Sequence, residues 1–392
     1  MAKRLFVHVG AMKSGTTYLQ GLFSRNRDRL EESGLRWVRA SRAEVTQLRE
    51  AGQPITSGTS MARRLRTAAE GWDGDLLCSM ELMGTRGPRF QRRLVAASGA
   101  DEVHIIVTGR DLSRVIPSRW QTTTHNGHSW TWADYLRAVC SDDPDATAPG
   151  RTFWKHQDLP RMFRTWSAVA EPHRMHLATV PANSTDRHLL WHRFAEILGI
   201  DPTGYGDPKP GRANPSLSMA AAEVLRRVNT LVDDLSYQQY RRGVTNMAYR
   251  MFGERPADEP PLQVPAAYRD WVEQRARRMN DEIKNLEVNI IGDLDDLLPT
   301  SPAPNGVQSV EIGNAEMLDT AVTGLAAMAR VLARTRIEHD ALEHRHAALS
   351  EERDRLEEQL EEPWVRQGGR KLVRRSRLAR RITQRRRTAR RH

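Results

Sequence analysis

The stretch from Arg4 to Gln20, RLFVHVGAMKSGTTYLQ, constrains the fold more than any other part of the chain. Phe6, Val7 and Val9 make a short β-type run, and Gly10 and Gly15 free the backbone of a small-residue turn. Thr16 and Thr17 then open an amphipathic helix carrying Tyr18, Leu19, Leu22 and Phe23. A strand that enters a helix through such a turn is the connection of an α/β domain. The unpaired N–H groups at the helix start, with Lys13 beside them, attract a multiply charged anion.

Three further apolar runs read as strands: Asp75–Met80, ending in the polar Glu81; Glu102–Arg110, the clearest of them; and Arg174–Pro181. Between and after them the pattern predicts helices over Pro88–Ser98, from Asp111 through Trp120 with a bend or turn at Pro117, over Trp132–Val139, over roughly His156–Ala170 and over Thr185–Leu198. Residues 40–70 read as helical or irregular, and Ser141–Gly150 as a loop or lid. Four strands with intervening helices imply an α/β fold, a parallel sheet covered on both faces. Residues 216–298 form a helical extension, with helices over Met219–Leu235 and Tyr268–Leu286.

The lysine order is informative. A nucleotide-triphosphate loop places its lysine after the last glycine, whereas Lys13 precedes Gly15. The run Lys13-Ser14-Gly15-Thr16-Thr17 resembles the 5′-phosphosulfate loop of sulfotransferases that use 3′-phosphoadenosine 5′-phosphosulfate (PAPS). A second run, with Arg110 at a strand end and Ser118 on the following helix, resembles the 3′-phosphate motif of that family. A guanidinium can bind a phosphate through two parallel hydrogen bonds, and a serine hydroxyl adds another donor.

The resemblance implies a P-loop-like sulfotransferase fold, PAPS as donor, no metal, and transfer of a sulfuryl group to a hydroxyl of a carbohydrate, glycolipid or small molecule. It places Lys13, Ser14, Gly15, Thr16 and Thr17 around the 5′-phosphosulfate, Tyr18 against the adenine, and Arg110 and Ser118 on the 3′-phosphate. Lys209, Arg212 and Asn214 lie in a Gly/Pro loop of the kind that closes over the 3′-phosphoadenosine end. Lys13 would stabilise charge on the leaving oxygen. Relatives use histidine or glutamate as general base; Glu81 stands at the end of its strand and takes that role, with His125 as the competing base. His8, inside the first strand, reads as a packed core histidine. The other readings are an ATP-dependent kinase, disfavoured by the lysine order and by the lack of a Mg²⁺-holding Asp beside the loop, and a non-catalytic adaptor.

Composition divides the chain further. The net charge of +11 is concentrated in residues 363–392, which hold thirteen Lys or Arg and no acid, so residues 1–362 carry about −2. Residues 1–298 are assigned to the enzyme domain, 299–316 to a Pro-rich linker, 317–362 to a coiled coil and 363–392 to a basic tail. Leu318, Leu325 and Leu332 share one heptad position that continues as His339, His346, Arg353 and Leu360. Ala321, Met328, Thr335, Leu342, Leu349 and Leu356 follow three residues on. The seam predicts a homo-oligomer, and the tail predicts contact with an anionic membrane surface; no aromatic platform beyond Trp364 marks a nucleic-acid reader. Two cysteines, no apolar stretch long enough to span a membrane and a first strand close to Met1 lead to the expectation of a cytoplasmic protein, peripheral at the inner membrane surface.

Overall fold

A computed structural model describes residues 2–40, 61–182, 186–208, 217–245, 248, 251–252, 255–256 and 258–366. Lys209, Arg212 and Asn214, residues 41–60 and the tail beyond Arg366 lie outside the described residues.

The chain begins with β1 (Arg4–Gly10), α1 (Thr16–Arg25), α2 (Arg27–Glu32), β2 (Leu35–Val38), α3 (Met61–Ala69) and β3 (Asp75–Ser79). A 3₁₀ turn, Glu81–Met83, leads to α4 (Pro88–Ser98), β4 (Glu102–Gly109), α5 (Leu112–His125) and α6 (Trp132–Val139). Then come α7 (Ala148–Trp154), α8 (Leu159–Trp166), β5 (Met175–Thr179), α9 (Leu189–Leu198), α10 (Met219–Asn229), α11 (Ala266–Lys284), β6 (Asn289–Ile291) and α12 (Asn314–Arg366). The six strands form one all-parallel sheet in the order β2-β3-β1-β4-β5-β6.

Two of these strands, β2 and β6, are missing from the four-strand expectation. Both are edge strands, four and three residues long. Strands this short carry too few residues for a periodic signal, and short edges protect a sheet from further pairing. β6 also returns the end of the 216–298 stretch to the sheet, so that stretch is not wholly helical. The candidate loop at 141–150 contains a 3₁₀ turn and the start of α7, and α5 runs through Pro117 without interruption.

The strand pleat sorts side chains to two faces. Leu5, Val7 and Val9 of β1 join one core, with Cys78, Ile105 and Val107. Phe6 faces the other, where Leu19, Leu22 and Phe23 of α1 meet Trp191 and Phe194 of α9. The central strands are buried on both faces, which is why they read as nearly continuous apolar runs.

The chain divides into two compact units, Met1–Gly324 and Leu325–His392. Within the first, Asp111 caps α5 by accepting from Ser113 N at 2.7 Å and also accepts from Thr300 N at 3.0 Å, tying the Pro-rich stretch to the sheet domain. Leu342, Leu349 and Leu356 of α12 are all more than half exposed. No helix among the described residues is long and apolar enough to cross a membrane.

Candidate active site

β1 lies between β3 and β4, so the chain leaves it toward one side of the sheet and later crosses to the other. Ligands of open parallel sheets bind at the carboxyl ends of the strands beside such a switch. Here the turn Ala11–Gly15, Glu81 and Arg110 follow the ends of β1, β3 and β4.

The turn has positive φ at Gly10 (127°), Lys13 (67°) and Gly15 (84°). Lysine in that region costs on the order of 1–2 kcal/mol, so the surroundings must hold it there. Arg110 Nη1 donates to Lys13 O at 3.3 Å and Gln157 Nε2 to Met12 O at 2.7 Å. From beneath, Thr108 Oγ1 donates to Gly10 O at 3.0 Å and lies 2.7 Å from Ser14 Oγ, which also donates to Ala11 O. His8 bridges Ser79 Oγ at 2.8 Å and Thr108 Oγ1 at 3.1 Å, linking three strands under the loop. It is fully buried, and burial drives its pKa down to about 3, so the ring is neutral. This bears out the reading of His8 as a core residue.

The same contacts limit Ser14. Its side chain is fully buried and its hydroxyl is engaged by Ala11 and Thr108, which leaves its backbone to meet a ligand. Gly15 is the left-handed N-cap of α1, which has no side-chain cap. A Cβ on Gly15 would lie 2.3 Å from Leu190 Cδ2. Thr16 is 5% exposed and its Oγ1 has no partner among the described residues, whereas Thr17 is exposed. Tyr18 is half-buried with its hydroxyl 3.5 Å from His188 Nδ1; burial, then Asp207, pushes its pKa up to about 12.

Three charged groups act on Lys13. Burial lowers its pKa to about 8; Arg119 and Arg110 push the same way, and Glu81 opposes them. Glu81 packs against the loop, for a Cβ on Gly10 would lie 3.5 Å from both Glu81 Cα and Glu81 Cβ. Burial also lowers the pKa of Arg110, with Arg114 adding and Asp111 opposing, and Arg110 Nε has no acceptor among the described residues. Ser118 is half-buried two turns along α5.

Lys13, Glu81 and Arg110 are therefore brought together. His125 is the last residue of α5, six residues or about 9 Å along the helix axis beyond Arg119 at 1.5 Å per residue. The sequence reading missed Arg119, which is 3% exposed with Nη1 3.3 Å from Met12 Sδ. Its helical spacing from Val115, Ile116 and Thr123, all buried, is the signal that could have found it. Among the described residues one group has metal-ligand spacing, His339, Asp340 and Glu343, all exposed on α12.

No protein-family model and no curated protein matches the chain. Among solved structures, the crystal structure of a sulfotransferase from Alicyclobacillus acidocaldarius is similar at 12% identity and a TM-score of 0.35, over 62% of this chain and 100% of that chain. Function is therefore read from the site's own geometry.

Proposed function

We propose that the protein is a PAPS-dependent sulfotransferase that transfers a sulfuryl group to a hydroxyl of a carbohydrate, glycolipid or small molecule. The observation that carries the reading is the junction of two anion-binding elements: the glycine turn holding Lys13, and Arg110, whose guanidinium reaches Lys13 O at 3.3 Å. Spare donors support it, because Thr16 Oγ1 and Arg110 Nε are buried without partners among the described residues, and a buried polar group left unpaired costs ~1–3 kcal/mol.

In this reading Lys13, the backbone of Ser14 and Gly15, Thr16 and Thr17 would hold the 5′-phosphosulfate, and Arg110 and Ser118 the 3′-phosphate. Tyr18 would flank the adenine, and Arg212 would close over it. The donor supplies an activated sulfuryl group. Glu81 takes the proton of the acceptor hydroxyl as its oxygen bonds to sulfur, and the bond from sulfur to the bridging oxygen breaks. Lys13, mostly protonated at neutral pH with a pKa near 8, stabilises the charge left on that oxygen. The α12 seam joins copies of the chain, and the basic tail contacts an anionic surface from the cytoplasmic side.

The test is Glu81→Gln. Turnover should fall by at least the ~10²–10⁴ attributed to a general base, while thermal stabilisation by 3′-phosphoadenosine 5′-phosphate stays near the wild-type value. Activity that survives Glu81→Gln and dies in His125→Ala would overturn the base assignment. Stabilisation by ATP with Mg²⁺, and none by 3′-phosphoadenosine 5′-phosphate, would overturn the donor.

A further inference from the structure

The leucines of α12 change heptad position along the helix. With Leu325 written as position a, Leu325 and Leu332 occupy a, whereas Leu342, Leu349 and Leu356 occupy d. Each of the five is more than half exposed. From His339 onward the a positions turn polar, as His339, His346 and Arg353, and before Leu342 the d positions are smaller or more polar, as Met328 and Thr335.

This changeover distinguishes the two ways in which a second copy could cover the stripe. In a parallel in-register pair a meets a and d meets d, so His339, His346 and Arg353 would each face their own copy across the seam. In an antiparallel pair a meets d. The antiparallel register that sets Leu332 against Leu349 and Leu325 against Leu356 also sets His339 against Leu342, His346 against Thr335 and Arg353 against Met328. Every polar a residue then meets a neutral partner, and the leucines of one half meet those of the other.

The flanking charges make the same choice. In an antiparallel pair g meets g and e meets e, and the leucine-matched register brings Glu338 to Arg345 and Arg336 to Glu343, each twice by symmetry. A slip of one heptad in one direction opposes Glu338 with Glu352, and Arg345 and Glu343 each with its own copy. A slip in the other direction opposes Glu338 with Glu338 and Arg336 with Arg336. The parallel pair sets Glu338 against Glu343 and Glu352 against Glu357. Only the leucine-matched antiparallel register avoids like charges.

We propose that two copies of the chain pair through α12 as an antiparallel two-stranded coil with its midpoint halfway between Leu332 and Leu349. The proposal rests on the reading that the seam joins copies, and adds their number, direction and register; it does not depend on sulfuryl transfer. Glu338 already accepts from Arg334 Nε of its own helix at 2.9 Å, so in the pair its carboxylate sits between two guanidinium groups.

The test is sedimentation equilibrium of the full chain at two salt concentrations, where the wild type should be a dimer. Glu338→Arg and Arg345→Glu each turn two attractive contacts into repulsive ones, so each should weaken the dimer by about tenfold, less at high salt. Together they should restore it to within about threefold of the wild type. In a parallel coil Glu338→Arg would meet Glu343 and tighten the dimer instead. Spin labels on His344→Cys or Glu351→Cys, both at outer f positions, read direction independently, since both native cysteines are buried. The antiparallel register separates the two 344 sites by about 11 Å along the axis and the two 351 sites by about 32 Å, at 1.5 Å per residue. A parallel pair keeps both distances equal. A wild type that sediments as a monomer at micromolar concentration overturns the proposal together with the seam. A trimer, a dimer that Glu338→Arg tightens, or equal label distances at 344 and 351 keep the seam and overturn the antiparallel register.

Discussion

Lys13 combines a half-buried cation with a left-handed backbone, and the two requirements can be separated by mutation. Alanine keeps the unfavourable φ and removes the charge; glycine removes both. Lys13→Ala should lower turnover by ~10²–10³, the usual effect of losing a preorganised charge stabiliser, with little change in stability. Lys13→Gly should lower turnover as much while raising unfolding free energy by up to ~1 kcal/mol, since glycine is at ease at φ 67°. Urea unfolding and an initial-rate assay on the two variants check this, and equal stabilities would show that the loop relaxes around alanine. Gly15 behaves oppositely. Gly15→Ala meets Leu190 at 2.3 Å and keeps φ at 84°, so a loss of ~1–3 kcal/mol is expected. Adding Leu190→Ala should not restore it, because the backbone term remains.

At the scale of elements, the loop is fastened to the sheet by β4. Thr108 contacts Gly10 O, Ser14 Oγ and His8 Nε2 through one hydroxyl. Thr108→Val preserves shape and leaves these buried groups without it, so we expect ~1–3 kcal/mol of destabilisation together with weaker binding of 3′-phosphoadenosine 5′-phosphate. Destabilisation with unchanged binding would mean that the turn holds its shape without β4. The long helix α12 poses a different question. Its heptad positions leave Leu325 60%, Leu342 60% and Leu349 66% exposed, and such a stripe is normally covered by another helix. The full chain should sediment as an oligomer, and Leu342→Asp with Leu349→Asp should convert it to a monomer. A wild type that sediments as a monomer at micromolar concentration rules out the seam.

For the molecule as a whole, buried and half-buried neutral histidines contribute to the response to acid. Burial lowers the pKa of His8 to about 3 and of His176 to about 4, the latter also lowered by His104; burial, with Arg119, Lys155 and Arg86, lowers His156 to about 3. Each folded value lies below the unfolded value of about 6.5, so between those limits the unfolded chain binds more protons. Stability should be complete above pH ~6.5 and fall as pH drops toward 4 and then 3. Melting temperatures from pH 7.5 to 4.5 read this directly, and a flat profile would mean that these rings are protonated in the folded protein.

The central strands and the helices beside them were legible in the sequence because their signal is local: a run buried on both faces is apolar throughout, and a helix on a sheet repeats its apolar residues at fixed spacing. The glycine turn, the lysine before its last glycine and the arginine ending β4 were legible for the same reason. Other features depended on residues far apart in the chain. β2 and β6 are strands only because β3 and β5 pair with them. The Ser14 hydroxyl is engaged because Thr108 lies beneath it, and Arg119 meets Met12 Sδ because α5 packs alongside the turn. Glu81 and His125 were alternatives in sequence; the register of β3 against β1 holds Glu81 beside Gly10, while His125 ends α5 beyond Arg119. Periodicity and turn chemistry therefore determined which elements form and where an anion could bind, whereas the sheet order and its register decided which side chains meet there.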